Sequence, residues 1–410
     1  MKIGYLMQAG VPDVRQSRLS GPANHVKQVF KNLIDLGHQL RLLALLDGQV
    51  WRSDDLEIFE PVKVNWLDKS LARRFESVIR RVQSELHIPY AALFESLRFA
   101  QACRQELTDY DLFYERTGWV GYGGGLAARW LGIPLVFEVN GDHLSEMELL
   151  GIAPRGAQRW ISTVLMKWAI NQASFIVATG EGWRWKLIER WEVKPEIVEV
   201  IENGSEIIDL LKREKLRAFH NSTDSSQDVT IIYIGAFEPW HGVTKLIIAF
   251  SKAVEKESGL QLILVGSGSE LDEIKKLVSE LALEDNVILT GHLTPQEFAF
   301  HLAEADIGVA PYCGRVEYSG LKLLDYKAAG LAIIASGEGG QPAVIEHSQT
   351  GWIVPPCNEN ALSDSIVRLA RDVDLRHKMG RNSRTEAEQS HTWRYTAEQL
   401  IQVFNTIARD

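Results

Sequence analysis

The chain has 410 residues, 45% of them hydrophobic and 24% charged, with a formal net charge of -10 at pH 7. That length suits two domains better than one core, and the acidic balance argues against general nucleic-acid binding, which needs a basic face. The three cysteines, Cys103, Cys313 and Cys357, are scattered and odd in number; they give neither a disulfide framework nor a zinc spacing, so a reducing cytoplasm is expected.

MKIGYLM, residues 1–7, reads as a first buried strand and lacks the small-residue cleavage site of a signal peptide. A loop with Gly10, Pro12, Gly21 and Pro22 follows, then a helix over 24–36 stopped by Gly37, and a strand at 40–46. Residues 69–86 (KSLARRFESVIRRVQSEL) are amphipathic. Leu71, Phe75, Val78, Ile79, Val82 and Leu86 share one side, with Lys69, Arg73, Arg74, Arg80 and Arg81 as the basic residues. A domain helix with a solvated charged face is the favoured reading; peripheral contact with the inner membrane surface is the alternative.

Further strands are expected at 112–114, 135–139, 175–178 and 197–201, with helices between them. The glycines of 121–125 (GYGGG) read as a flexible turn before a helix near 126–131. Arg116 and the run Glu138-Val139-Asn140-Gly141-Asp142-His143 put polar groups at the carboxyl edge of the sheet. The longest apolar run, 160–170, is interrupted by Lys167 and too short to span a bilayer. Trp183, Trp185 and Trp191 read as packing in preference to an acceptor surface.

The polar stretch 220–228 (HNSTDSSQD) reads as a linker. After it, strands at 229–234, 260–265, 287–290, 307–310 and 331–335 alternate with helices. The pattern predicts two doubly wound α/β units, with ligands beyond the carboxyl ends of the strands and a cleft between the domains.

Three motifs lie on the second unit's rim. Gly235 opens IGAFEPWHGV, where His241 could donate to a phosphate and Gly242 precedes a helix. Gly266-Ser267-Gly268 follows a strand, but Leu271 occupies the third glycine position of a dinucleotide fingerprint, so NAD is not expected. The most informative motif is EYSGLKLLDYKAAG at 317–330. Ser319, Gly320 and Leu321 sit where a helix should begin, and its free N–H groups and dipole suit a phosphate. Lys322 adds a mobile charge, while Glu317 and Asp325 offer acceptors for hydroxyl groups on either side. A sugar nucleotide has that chemistry: hydroxyls at both ends and a diphosphate between. The eleven histidines form no metal-ligand spacing, and no metal is expected.

In order along the chain, these residues resemble family 4 (group 1) retaining glycosyltransferases of GT-B fold. GPANHVKQVFKNLIDLGH, with Gly21 and His25, resembles the first strand–loop–helix of that family, and ERTGWVGYGGGLAARWLGIPLVFEVNGD the middle of its acceptor domain. VEVIENGSEI is similar to its closing turn, LVGSGSE, NVILTGHL and ADIGVAPY to its donor-domain strands, and TGWIVPP with the Trp393 helix to its end. Residues 317–330 are similar to its E-x7-E motif in an SPLKLFEY-like variant.

The resemblance implies an acceptor domain at 1–205, a linker at 206–228, a nucleotide-sugar domain at 229–388 and a crossover helix at 389–410 that returns to the first domain. It implies that Asp325 holds the ribose, Glu317 the donor sugar, and Lys322 with the 319–321 amides the diphosphate. Gly21, Gly235, His241, Gly266 and Ser267 join the donor site. Asn140 and His143 compete for a catalytic-face role, and His25, Arg116 and Glu138 stand on the acceptor side. The co-substrate would be a UDP- or GDP-sugar with no other cofactor, and the acceptor a sugar, lipid-linked or small-molecule hydroxyl. One departure is local: the usual Gly-Arg and Lys-Gly pairs are Gly235-Ala236 and His241-Gly242, in a PWHG variant. An epimerase, or a non-catalytic relative that binds a sugar nucleotide, are the rival readings.

Overall fold

A computed structural model describes residues 1–16, 20–64, 70–86, 88–149, 151–211, 228–314, 320–338 and 342–408. The chain forms two units: Met1–Glu202 with Ala397–Asp410, and Asn203–Thr396.

The first unit is built on β1 (Lys2–Met7), β2 (Gln39–Leu46), β3 (Gln49–Ser53), β4 (Glu60–Pro61), β5 (Leu112–Arg116), β6 (Leu135–Val139), β7 (Phe175–Ala178) and β8 (Val198–Val200), in the order β4-β3-β2-β1-β5-β6-β7-β8. β3 pairs antiparallel with both β2 and β4 at the edge, and the remaining pairs are parallel. The sequence reading did not include β3. Asp47 and Gly48, with φ of 52° and 73°, make the two-residue turn that folds it back on β2. The first helix is Gly21–Asp35, so Gly21 and Pro22 begin it rather than precede it, with Ser20 as its N-cap.

The GYGGG run is not a flexible turn. A helix starts at Gly123, and a Cβ on Gly124 would run into the carboxyl of Glu115. Alternation along β5 sends Glu115 to the face opposite Tyr114 and Arg116. Among the described residues its buried Oε2 has no hydrogen-bond partner, and burial pushes the carboxyl up to about 8.

The second unit has β9 (Val229–Ile234), β10 (Leu260–Val265), β11 (Val287–Gly291), β12 (Ile307–Ala310), β13 (Ala332–Ser336) and β14 (Gly351–Val354), all parallel, in the order β11-β10-β9-β12-β13-β14. Val229, Ile231 and Tyr233 enter one buried cluster with the helices Val243–Val254 and Glu359–Arg371. Ile232 and Ile234 enter another with the helix Leu321–Ala329. Both faces are covered, which is why these strands read as continuous apolar runs. Order reverses at β9 and β12, the switch point where such sheets bind ligands.

Three expectations need correction. Residues 206–211 are not linker: Ile207 and Leu211 are buried in the second unit's core. The rest of the expected linker, up to residue 227, lies outside the described residues. Second, Cys313 and Cys357 form a disulfide, with Cα atoms 4.8 Å apart across a sequence separation of 44. They follow β12 and β14, whose carboxyl ends the parallel sheet brings together, a proximity that sequence spacing does not encode. The cysteine ground for a reducing compartment is thereby lost. Reduction should lower the unfolding free energy by about 2–4 kcal/mol, and Cys357→Ser should match the reduced protein. A melting temperature indifferent to reductant and to the substitution would rule the bond out in solution.

The third concerns the helix Ser70–Glu85, whose polar side faces the protein. Glu76 is buried and meets Arg98 at 2.7 Å and Arg80 at 2.8 Å, while Phe75, Val78 and Val82 are exposed. Leaving such side chains in water forgoes about 1.5–3 kcal/mol each. Among the described residues, no helix is long and apolar enough to cross a membrane.

Candidate active site

In the second unit the site is organised around a buried cation. Lys322, 9% exposed, lies in the first turn of the helix Leu321–Ala329. Its Nζ sits 4.3 Å from the ring centre of Tyr233 and 4.8 Å from that of Tyr312, and donates to the Tyr233 hydroxyl at 3.1 Å. Among the described residues no carboxylate pairs with it. Burial brings its ammonium down to about 7. A Cβ on Gly235, whose φ is 145°, would stand 2.8 Å from Nζ, so only glycine lets that loop cover the lysine.

The Ala236 carbonyl joins this cluster, accepting from the Tyr233 hydroxyl at 2.7 Å and from His241 Nδ1 at 2.5 Å. That bond puts the proton of neutral His241 on Nδ1 and leaves Nε2 as a bare acceptor. Burial, then the charge of Lys322, push the imidazole down to about 4, outweighing the Ala236 carbonyl. Neutral His241 therefore has no proton on Nε2 to give to a phosphate. It donates from Nε2 only after taking up a proton.

Gly320 caps the helix Leu321–Ala329 with no side-chain hydrogen bond, and among the described residues no side chain caps the N–H groups of its first turn beside Lys322. One turn on, Asp325 is half-buried and accepts from the Ser205 hydroxyl at 2.6 Å. Burial raises its carboxyl to about 7 against that bond, with Glu206 adding to the rise. Gly266 abuts the backbone of Gly235, so this glycine serves the approach of two loops. Ser267 is exposed. Glu317 and Ser319 lie outside the described residues.

In the first unit a second cluster forms at the ends of β5 and β6. Glu138, 1% exposed, is 2.8 Å from His25 Nε2 and 3.1 Å from Arg116, and accepts from the Tyr114 hydroxyl and the Asn140 amide. Burial alone would raise this carboxyl, but His25, Arg116 and Tyr114 outweigh it and hold it at about 2. Glu138 is thus a fixed anion, not a base poised near neutrality. Gly21 and His25 share one side of the first helix, a turn apart. His143 stands outside the cluster, its Nε2 on the Thr117 carbonyl at 3.2 Å and its Nδ1 3.5 Å from Glu146. Burial lowers its imidazole, yet Glu146 carries it above the ordinary value.

The family model for Glycosyl transferases group 1 matches residues 213–386, and that for Glycosyltransferase Family 4 matches residues 19–207. The chain belongs to the family 4, group 1 glycosyltransferases. Among its relatives is the GDP-mannose-dependent alpha-(1-6)-phosphatidylinositol monomannoside mannosyltransferase of Mycobacterium tuberculosis, 28% identical over 42% of this chain and 46% of the relative. The alpha-monoglucosyldiacylglycerol synthase of Streptococcus pneumoniae is 22% identical over 91% and 83%. The matched region spans about half the length of the first curated relatives. HepE of Anabaena, solved with UDP, superposes with a TM-score of 0.70 at 18% identity, covering 99% of this glycosyltransferase-family chain and all of HepE, 100%. The fold is GT-B.

Of the residues in these two clusters, the sequence reading named Lys322, Asp325, Glu138, His25, Arg116 and Asn140, but not Ser205, Tyr233, Tyr312 or Tyr114. Ser205 lay within the quoted ENGSEI turn, Tyr114 and Tyr233 read as ordinary strand residues, and Tyr312 follows the strand expected at 307–310. Trp183 is buried as expected of packing, whereas Trp185 is 56% exposed.

Proposed function

We propose that the protein transfers a sugar from a nucleoside-diphosphate sugar to a hydroxyl acceptor, with retention of anomeric configuration and without a metal. The single observation that carries this is Lys322: a buried cation with no carboxylate partner among the described residues, beside helix N–H groups that no side chain among them caps. Among the described residues no counter-ion meets it, and a diphosphate would supply one. As the bond from the anomeric carbon to the leaving oxygen breaks, charge builds on the outer phosphate, where preorganised donors lower the barrier most. Asp325 would accept from the ribose hydroxyls in place of Ser205, and Glu317 from the donor sugar. Retention would follow from same-face attack assisted by the leaving phosphate, with no protein nucleophile. The acceptor is a sugar, a lipid-linked or a small hydroxyl compound.

The test is thermal unfolding with UDP, GDP, ADP and their common sugars, with Asp325→Ala alongside. A nucleotide at a hundred times its dissociation constant should add roughly 2.7 kcal/mol, and the variant should lose most of that shift. No shift with any of them would sink the donor assignment. One second reading has an observation behind it: Ala236 and the neutral His241 remove charge where the resembled family carries it. A shift with nucleotide but no transfer or hydrolysis would favour a non-catalytic binding protein. Conversion of the donor without acceptor would favour an epimerase.

A further inference from the structure

The helix Ser70–Glu85 is held to the first unit by ions and shows its apolar side to water. Glu76 and Arg98 pair out of solvent, and Arg80 extends the pair to Glu95, which also accepts from the Tyr90 hydroxyl. These contacts fix the rotation of the helix about its axis. Phe75 then stands 65% exposed, with Val78 and Val82 beside it, and the chain leaves through Leu86, 66% exposed, and Ile88. Successive apolar residues at three- and four-residue spacing form one stripe, not isolated surface side chains. Arg74 and Arg81 lie along its margin, both exposed; Arg81 pairs with the exposed Glu85 at 2.9 Å. The Tyr90 backbone N–H donates to Gln158 Oε1 at 2.5 Å, and Gln158 Nε2 donates to the Tyr90 carbonyl at 2.8 Å. These bonds set the helix Gly156–Ile170, with Trp160 68% exposed, next to the end of this segment.

We infer that this face docks on an anionic lipid bilayer, Phe75, Val78, Val82, Leu86 and Ile88 entering the boundary between headgroups and acyl chains while Arg74 and Arg81 meet lipid phosphates. Charge selects this occupant. A two-fold contact with a second copy would set Arg74 and Arg81 against their own counterparts. In a chain of net charge -10, an apolar stripe edged by arginines complements an anionic sheet and orients the rest of the protein away from it. Tryptophan is suited to the same boundary. The surface is independent of the transferase reading, because docking needs no nucleotide.

Flotation of the full chain with phosphatidylcholine vesicles, with and without phosphatidylglycerol, tests it. The protein should float with the anionic vesicles and not with phosphatidylcholine alone. R74E/R81E and F75S/V82S should each reduce the bound fraction at least tenfold, with the circular-dichroism melt unchanged. Absence of flotation, equal flotation with both vesicle types, or indifference to both variants would overturn it. So would a dimer in sedimentation that F75S/V82S dissolves, which would give the face to a second copy.

Discussion

Lys322→Met is expected to lower transferase turnover by roughly 10²–10³-fold, the usual loss when one preorganised donor to developing charge is removed, and to leave the protein no less stable. The two halves of this result come from one environment. Nζ lies against two aromatic rings and one phenol hydroxyl, which suffice to hold a cation but not to match water. Its pKa is about 7 in the folded chain, below the ordinary lysine value of roughly 10.4. The unfolded chain therefore binds more protons between those values, and stability rises with pH across that window. Below pH 7 the charged, buried group opposes folding in full, and methionine removes that opposition. Steady-state kinetics and a melt at pH 6.5 read both effects. Turnover within threefold of wild type would end the phosphate role; a variant that melts well below wild type would recast Lys322 as structural.

Glu115→Gln should flatten the pH dependence of the first unit's stability. The wild-type carboxyl is buried, its Oε2 without a partner among the described residues, and titrates at about 8, against roughly 4.3 when unfolded. Between these values the folded state holds the extra proton, so the stability present below about pH 4 is lost as pH rises to 8. The loss is on the order of 4 kcal/mol. Glutamine cannot ionise, and the variant should overtake wild type in melting temperature as pH rises from 5 to 8. Parallel curves over that range would mean that Glu115 has a partner in solution. The group sits against Gly124 and near the buried Cys103 thiol, which burial, then Glu115, push up.

Much of this fold is legible in the sequence because its strands are covered on both faces. Ile231, Ile232, Tyr233 and Ile234 are all buried, so the run declares itself. The edge hairpin is harder: Arg52 points to Glu60 and Glu106 and reads as loop until its pairing is seen. Helix periodicity reveals that 69–86 has an apolar side but not which side meets the protein, since the choice is made by Arg98 on another helix. The same holds for the site. Lys322 and Asp325 announce themselves by their place at a helix start, whereas the Glu138 cluster joins the first helix, β5 and β6, and only the sheet brings those ends together.

Both the beginning of the sequence and residues 397–408 belong to the first unit, where Phe404 packs edge-on against Tyr114 with ring centres 5.4 Å apart. The second unit is one uninterrupted stretch between them. On a ribosome, Asn203–Thr396 is therefore complete before the segment that finishes the first unit has been made. The half that appears first must wait for the last helix to close its core, and the half that appears second can fold while it waits.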